Sequence, residues 1–141
     1  MDAGCGCAVP TACVFSKALL AQHARCHLAE RRAVGERELL VCGSGPALVN
    51  CGTLAALLRE RATFALKLPR AGTPIEHAKA LRLHSGGLAG LRRALDGAGP
   101  DVHGLVQQAQ ARWGSLTEAP WPQIVQAIVE WAPRPRRAPP R

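Results

Sequence analysis

The sequence predicts a mainly α protein: a small single-domain bundle of about five helices, with a cysteine-rich N-terminal third, at most one short strand, and a disordered basic C-terminal tail. Three observations carry this expectation. Apolar residues recur at three- and four-residue spacing through most of the chain beyond residue 52. Aromatic residues are few (Phe15, Phe64, Trp113, Trp121 and Trp131, with no tyrosine), so Leu, Val and Ala must build the core, and such cores suit helix packing better than strand pairing. With 141 residues, 48% of them hydrophobic and 20% charged, the chain can bury a core without covalent staples and lies well away from the composition of disorder. The expected organisation is one domain over 1–132, with a metal-binding part over 1–51 and a helical scaffold over 52–132, followed by a tail over 133–141.

The elements are expected in the following order. Residues 1–14 are broken by Gly and Pro and have no apolar period, so they read as a loop or arm. From Ser16 to about Ala33 the chain reads as a helix, with Leu19, Leu20, His23, Cys26 and His27 on one face, Ser16 as N-cap and Gly35 as the stop. The run Glu38-Leu39-Leu40-Val41-Cys42 is a brief strand or an extended lead into the turn Gly43-Ser44-Gly45-Pro46. Pro46 suits a first helical turn, and Asn50 is expected to cap a helix starting at Cys51. Leu54, Leu57, Leu58, Ala62 and Ala65 repeat at helical spacing until Leu68-Pro69 ends the period. Thr73-Pro74-Ile75-Glu76 has the pattern of a capped start for a helix carrying Ala78, Leu81, Leu88, Leu91 and Leu95, which Gly86-Gly87 is expected to kink or split. Residues 97–100 form a turn, Asp101 caps a helix with Val102, Leu105, Val106, Ala109 and Trp113 on one side, and Trp121 to Trp131 supply the last amphipathic segment.

All six cysteines fall within the first 51 residues, separated by one, five, twelve, fifteen and eight residues. In a reducing compartment such a set reads as metal ligands or thiols rather than a disulfide framework. Zinc knuckles bring ligands in close C-x2-C or C-x4-C pairs, because one tight turn then fills two corners of a tetrahedron. That spacing is missing here. A cubane cluster has iron corners spread over a larger volume, so single thiolates from separate elements can each hold one iron. The expected ligands of a [4Fe–4S] cluster are Cys13, which begins a helix, Cys26 on its apolar face, and Cys42 and Cys51, which bracket the Gly-Pro turn. Cys51 is expected at a helix N-terminus, where unpaired N–H groups favour a thiolate, and the amides of Gly43 to Gly45 are expected to approach the sulfurs. Cys5 and Cys7 lie in the arm and are expected to be dispensable. The alternative chemistry is zinc held by two or three of His23, His27 and Cys26 from one helical turn, together with Cys42 or Cys51. His77, His84 and His103 read as surface or helix-packing residues.

These features point to a small electron-transfer or redox accessory protein, with a zinc-stabilised nucleic-acid-binding or protein-interaction module as the alternative. No Ser/His/acid or Cys/His frame for an enzyme is recognisable. The formal charge of +8, from 18 Lys+Arg against 10 Asp+Glu, suits an acidic redox partner, with nucleic acid as the second choice. Arg25, Arg31, Arg32 and Arg37 are expected to offset the charge of a tetrathiolate cluster. No apolar run reaches bilayer length and the start has no signal-peptide pattern, so a cytoplasmic location is expected. The tail, rich in Arg and Pro, has nothing to bury. Deleting residues 133–141 is therefore expected to leave bound metal and the thermal unfolding midpoint unchanged, as metal analysis and circular dichroism melting would show.

Overall fold

A computed structural model describes residues 12–70, 72–97, 99 and 101–133. In order these form α1 (Ser16–Leu20), β1 (Ala29–Val34), β2 (Arg37–Cys42), α2 (Gly45–Leu66), α3 (His77–Ala94), α4 (Val102–Trp113), a single 3₁₀ turn (Leu116–Glu118) and α5 (Trp121–Glu130). The described part is thus mostly helical, with five α-helices and one two-stranded antiparallel sheet. The expected arm and most of the expected tail lie outside the described residues.

The expected first helix stops at Leu20, not near Ala33. Gln22 takes a left-handed φ of 64°, the His23 N–H donates to Ala18 O at 2.9 Å, and the Gln22 N–H donates to Leu19 O at 3.0 Å. This is a Schellman ending with glutamine in the place glycine usually fills. Residues 29–34 are good helix formers, yet they pair as a strand with β2, in the register Ala29↔Cys42 to Val34↔Arg37. Gly35 therefore does not end a helix. With φ +63° it is the first residue of a two-residue hairpin turn, a conformation that costs glycine least. On the other edge of β2, Ala12 bridges Val41 and the Cys13 N–H donates to Leu40 O at 2.8 Å.

The second helix starts six residues before Cys51. Ser44 is its N-cap, with its hydroxyl accepting from the Ala47 N–H at 3.3 Å, and Pro46 lies in the first turn. Asn50 is inside the helix and caps nothing. At the far end Lys67 takes φ 52° and repeats the Schellman pattern, with the Leu68 N–H donating to Thr63 O. The expected capped start at Thr73 is also displaced, because α3 begins at His77. The Arg59 guanidinium instead donates to the carbonyls of Pro69, Arg70 and Thr73, which holds the preceding segment as a loop. Asp101 caps α4 as expected, accepting from the Gly104 N–H at 2.9 Å.

Gly86 and Gly87 neither kink nor split α3, which runs unbroken through both. They are needed for contact. A Cβ on Gly86 would lie 2.8 Å from Ile128 Cα, one on Gly87 2.6 Å from a Leu58 methyl, and one on Gly90 2.9 Å from Ala127 Cβ. The three glycines let α2 and α5 close on α3 from two sides, around a core of Phe15, Leu54, Leu58, Leu83, Leu91, Leu105, Ile124 and Ile128. Gly86→Ala is expected to destabilise the fold by about 1–3 kcal/mol, since the clash with α5 backbone outweighs the roughly 1 kcal/mol gained in helix propensity. Gly52→Ala, where no atom stands within 4 Å of the new Cβ, is expected to stabilise it by about 0.5–1 kcal/mol. Urea unfolding of the two variants would show these opposite signs.

Candidate metal centre

Cys13, Cys26, Cys42 and Cys51 are contributed by four separate segments. Cys13 lies between the bridge to β2 and α1, Cys26 in the loop before β1, Cys42 at the end of β2, and Cys51 in the second turn of α2. All four are free thiols; Cys13 and Cys51 are buried, Cys26 and Cys42 half-buried. The local causes are plain. The hairpin sets Ala29 opposite Cys42, which brings the chain just after Cys26 to the same end of the sheet, and the bond from the Cys13 amide ties that residue to β2. Helix α2 turns back directly after the Ser44 cap, with Cys51 on the same buried stripe as Leu54 and Leu58.

The electrostatics show that the four thiols share one neighbourhood. Burial pushes the Cys51 thiol up to about 12, and the charges of Cys13, Cys26, Cys42 and Asp101 push in the same direction. Burial also raises Cys13; the Phe15 backbone N–H opposes it, while Cys26 and Cys42 add to it. The expectation that a helix N-terminus activates Cys51 therefore fails: the residue is inside α2, and its thiol is held in the protonated form. The Gly43 and Ser44 expectation also changes. The Gly43 N–H is taken by Leu28 O at 2.7 Å, and the Cys42 thiol donates to the Ser44 carbonyl at 3.2 Å. Among the described residues no three His, Cys, Asp or Glu side chains converge closely enough to hold a single metal ion. The thiols are thus near enough to sense one another's charge, without three of them closing on one point.

His23 and His27 do not share a helical face with Cys26, because residues 21–28 are not helical. His23 Nδ1 lies 2.9 Å from the Ser85 hydroxyl, with its ring edge-on to Trp131 at 5.0 Å. His27 Nδ1 donates to Asp101 Oδ2 at 2.9 Å and its ring meets that of His103 at 5.4 Å. The two rings are held by different helices, which separates the expected zinc set. Cys5 and Cys7 lie outside the described residues. Two of the four arginines expected to neutralise the site are engaged within the hairpin, Arg31 with Glu38 and Arg32 with Glu30.

The sequence reading missed Asp101 as a neighbour of the thiols. Its carboxyl is partly buried, which opposes ionisation, but the His27 backbone N–H, the Gly104 N–H and the His27 ring outweigh this and hold it below the usual carboxylate range. No local signal in the sequence links residue 101 to residue 27. The His23–Ser85 pair borders a cleft of about 850 Å³ beside Trp131 and Pro133. Among the described residues no acid is seen to orient His23, and Ser85 is only 3% exposed inside α3. No protein-family model matches the chain, and no curated protein or solved structure resembles it closely enough to place it in a family.

His84 has a different role from these groups. It packs edge-on to Phe15 at 5.2 Å, its Nδ1 is buried with no hydrogen-bond partner among the described residues, and burial, helped by the Lys17 charge, lowers its pKa to about 4. The unfolded chain takes up this proton near pH 6.5 and the folded chain only near 4. Stability from this group is therefore complete above pH 6.5 and falls as the pH drops towards 4, by up to about 1.4 kcal/mol per pH unit. Urea unfolding between pH 7 and 4 should show that slope, and His84→Phe should remove most of it.

Proposed function

We propose that Cys13, Cys26, Cys42 and Cys51 hold a [4Fe–4S] cluster and that the protein is a small electron-transfer or redox accessory protein. The observation that carries the reading is that four free thiols from four segments lie near enough to feel one another's charge. A cubane, whose corners stand apart, suits such an arrangement better than a single tetrahedral ion does. A buried thiol gives up its proton readily only to a strong cation, so metal loading would release protons and tighten the fold together. When bound, a cluster of this kind takes up and gives back one electron. The chain's own part is to supply the corners, keep Cys13 and Cys51 from water, and leave Cys26 and Cys42 nearer the surface, where an acidic partner protein attracted by the net charge of +8 could approach.

Anaerobic purification followed by iron, sulfide and zinc analysis tests this reading. About four irons and four sulfides per chain are expected, in a brown protein that bleaches on reduction. Changing any one of Cys13, Cys26, Cys42 or Cys51 to Ser should bleach the protein and loosen the N-terminal part while α3 to α5 are less affected. The double change Cys5→Ser with Cys7→Ser should keep the colour. A single zinc without sulfide would favour the zinc-stabilised interaction module, and a metal-free protein would exclude both readings.

A further inference from the structure

Cys26, like Cys13, lies outside the strands and helices, and both of its neighbours are tied to the start of α4. The Arg25 carbonyl accepts from the Val102 N–H at 2.7 Å, and Arg25 and Asp101 form a parallel β-bridge. On the other side Asp101 Oδ1 accepts from the His27 backbone N–H at 2.7 Å, and Oδ2 accepts from the His27 ring at 2.9 Å and from the Gly104 N–H at 2.9 Å. One carboxylate thus caps α4 and grips the residue after Cys26, while the next peptide along grips the residue before it. Hydrogen bonds to a charged acceptor are the stronger kind, and three converge on this one side chain.

We propose that Asp101 is a positioning residue for the Cys26 ligand. This inference rests on the cluster reading above. The carboxylate has no need to touch metal. It acts by fixing the peptide on the C-terminal side of Cys26, so that the sulfur of a loop residue is held as firmly as those on β2 and α2. The placement also explains a carboxylate tolerated beside four thiols: its charge raises the Cys51 thiol's pKa but is itself engaged by the His27 ring and two amides. Outer groups that orient ligands in this way commonly account for about 10- to 100-fold in metal retention when lost.

Capping and gripping can be separated. Asp101→Ser keeps a hydroxyl able to cap α4 through the Gly104 N–H but is too short to reach His27. The wild type, Asp101→Ser and Asp101→Asn are compared after anaerobic purification, by the melting temperature of the apoprotein, by the rate of iron loss to a chelator, and by electron paramagnetic resonance after addition of ferricyanide. Oxidation by one electron with loss of one Fe²⁺ converts [4Fe–4S]²⁺ to [3Fe–4S]⁺, so the last readout reports a corner that is poorly held. Asp101→Ser is expected to melt within a few degrees of wild type, yet to lose iron about tenfold faster or more and to accumulate the three-iron signal, with Asp101→Asn in between. Should Asp101→Ser fail to fold, Asp101→Asn, which retains one oxygen acceptor, carries the comparison. Wild-type rates and no three-iron signal in the folded variants would overturn the inference while leaving the cluster reading intact. A wild type without iron and sulfide would overturn the cluster reading itself, and the inference with it.

Discussion

Backbone pairing along both edges of β2 is the constraint on which the site depends. One edge carries β1 and the other carries Ala12 and Cys13. Strand amides and carbonyls that leave water must find partners, and here the partners are the segments that bring Cys13 and Cys26 into place beside Cys42. Among the described side chains of the hairpin only Val41 is fully buried, and an isolated two-stranded ribbon is marginal in water. Its persistence must come from what it is attached to: α2 through the Ser44 cap, and α4 through the bonds around Cys26. The site and the sheet therefore stabilise each other. Loosening either is expected to loosen both.

How far the sequence disclosed this arrangement differs from element to element, for physical reasons. The helices α2, α4 and α5 were legible because periodic Leu, Ile and Val face a core, and Asp101 was legible as a cap because its type and position agree. The four cysteines were legible as a group from their confinement to one part of the chain. The end of α1 was not legible. It depends on Gln22 in a left-handed conformation, and Lys67 and Asp96 end α2 and α3 in the same way. A reading that looks for glycine at helix ends overlooks Gln22, whereas Pro69 and the turn over 97–100 mark the ends of α2 and α3. Strand β1 was missed because Ala, Glu and Arg favour helices, and only the neighbouring strand, a tertiary fact, reverses that preference. The glycines of α3 read as a kink in the sequence, because sequence alone gives no view of the backbones that approach them.

The charge distribution has the same character. In composition the chain is strongly basic, yet Arg134, Arg136, Arg137 and Arg141 supply half of the net +8, and in the hairpin Arg31 and Arg32 face their own glutamates. Exposed pairs of this kind contribute little to stability. They do matter for the field at the site, since they leave less positive charge beside the thiols than a count of arginines implies. Two buried thiols with raised pKa values fit that setting. Burial makes the neutral thiol the cheaper state, and ionisation waits for a partner that binds the sulfur directly.

The scaffold reaches the site through α2. Cys51, Leu54 and Leu58 occupy one buried stripe of that helix, and Leu58 lies against the groove opened by Gly87. Because a packed interior has almost no free volume, any side chain added at that groove must displace Leu58 and with it the stripe that ends in Cys51. Asp101 gives α4 a second, independent hold on the site through Cys26. Helices α2 and α4 pack in the same core, and each delivers one restraint to a different thiol. Helix packing, which resists compression, thus fixes where Cys51 and the segment around Cys26 stand, while pairing along β2 places Cys13 and Cys42. A cluster held as we propose would rest in part on this packed frame, which yields little to a change of charge.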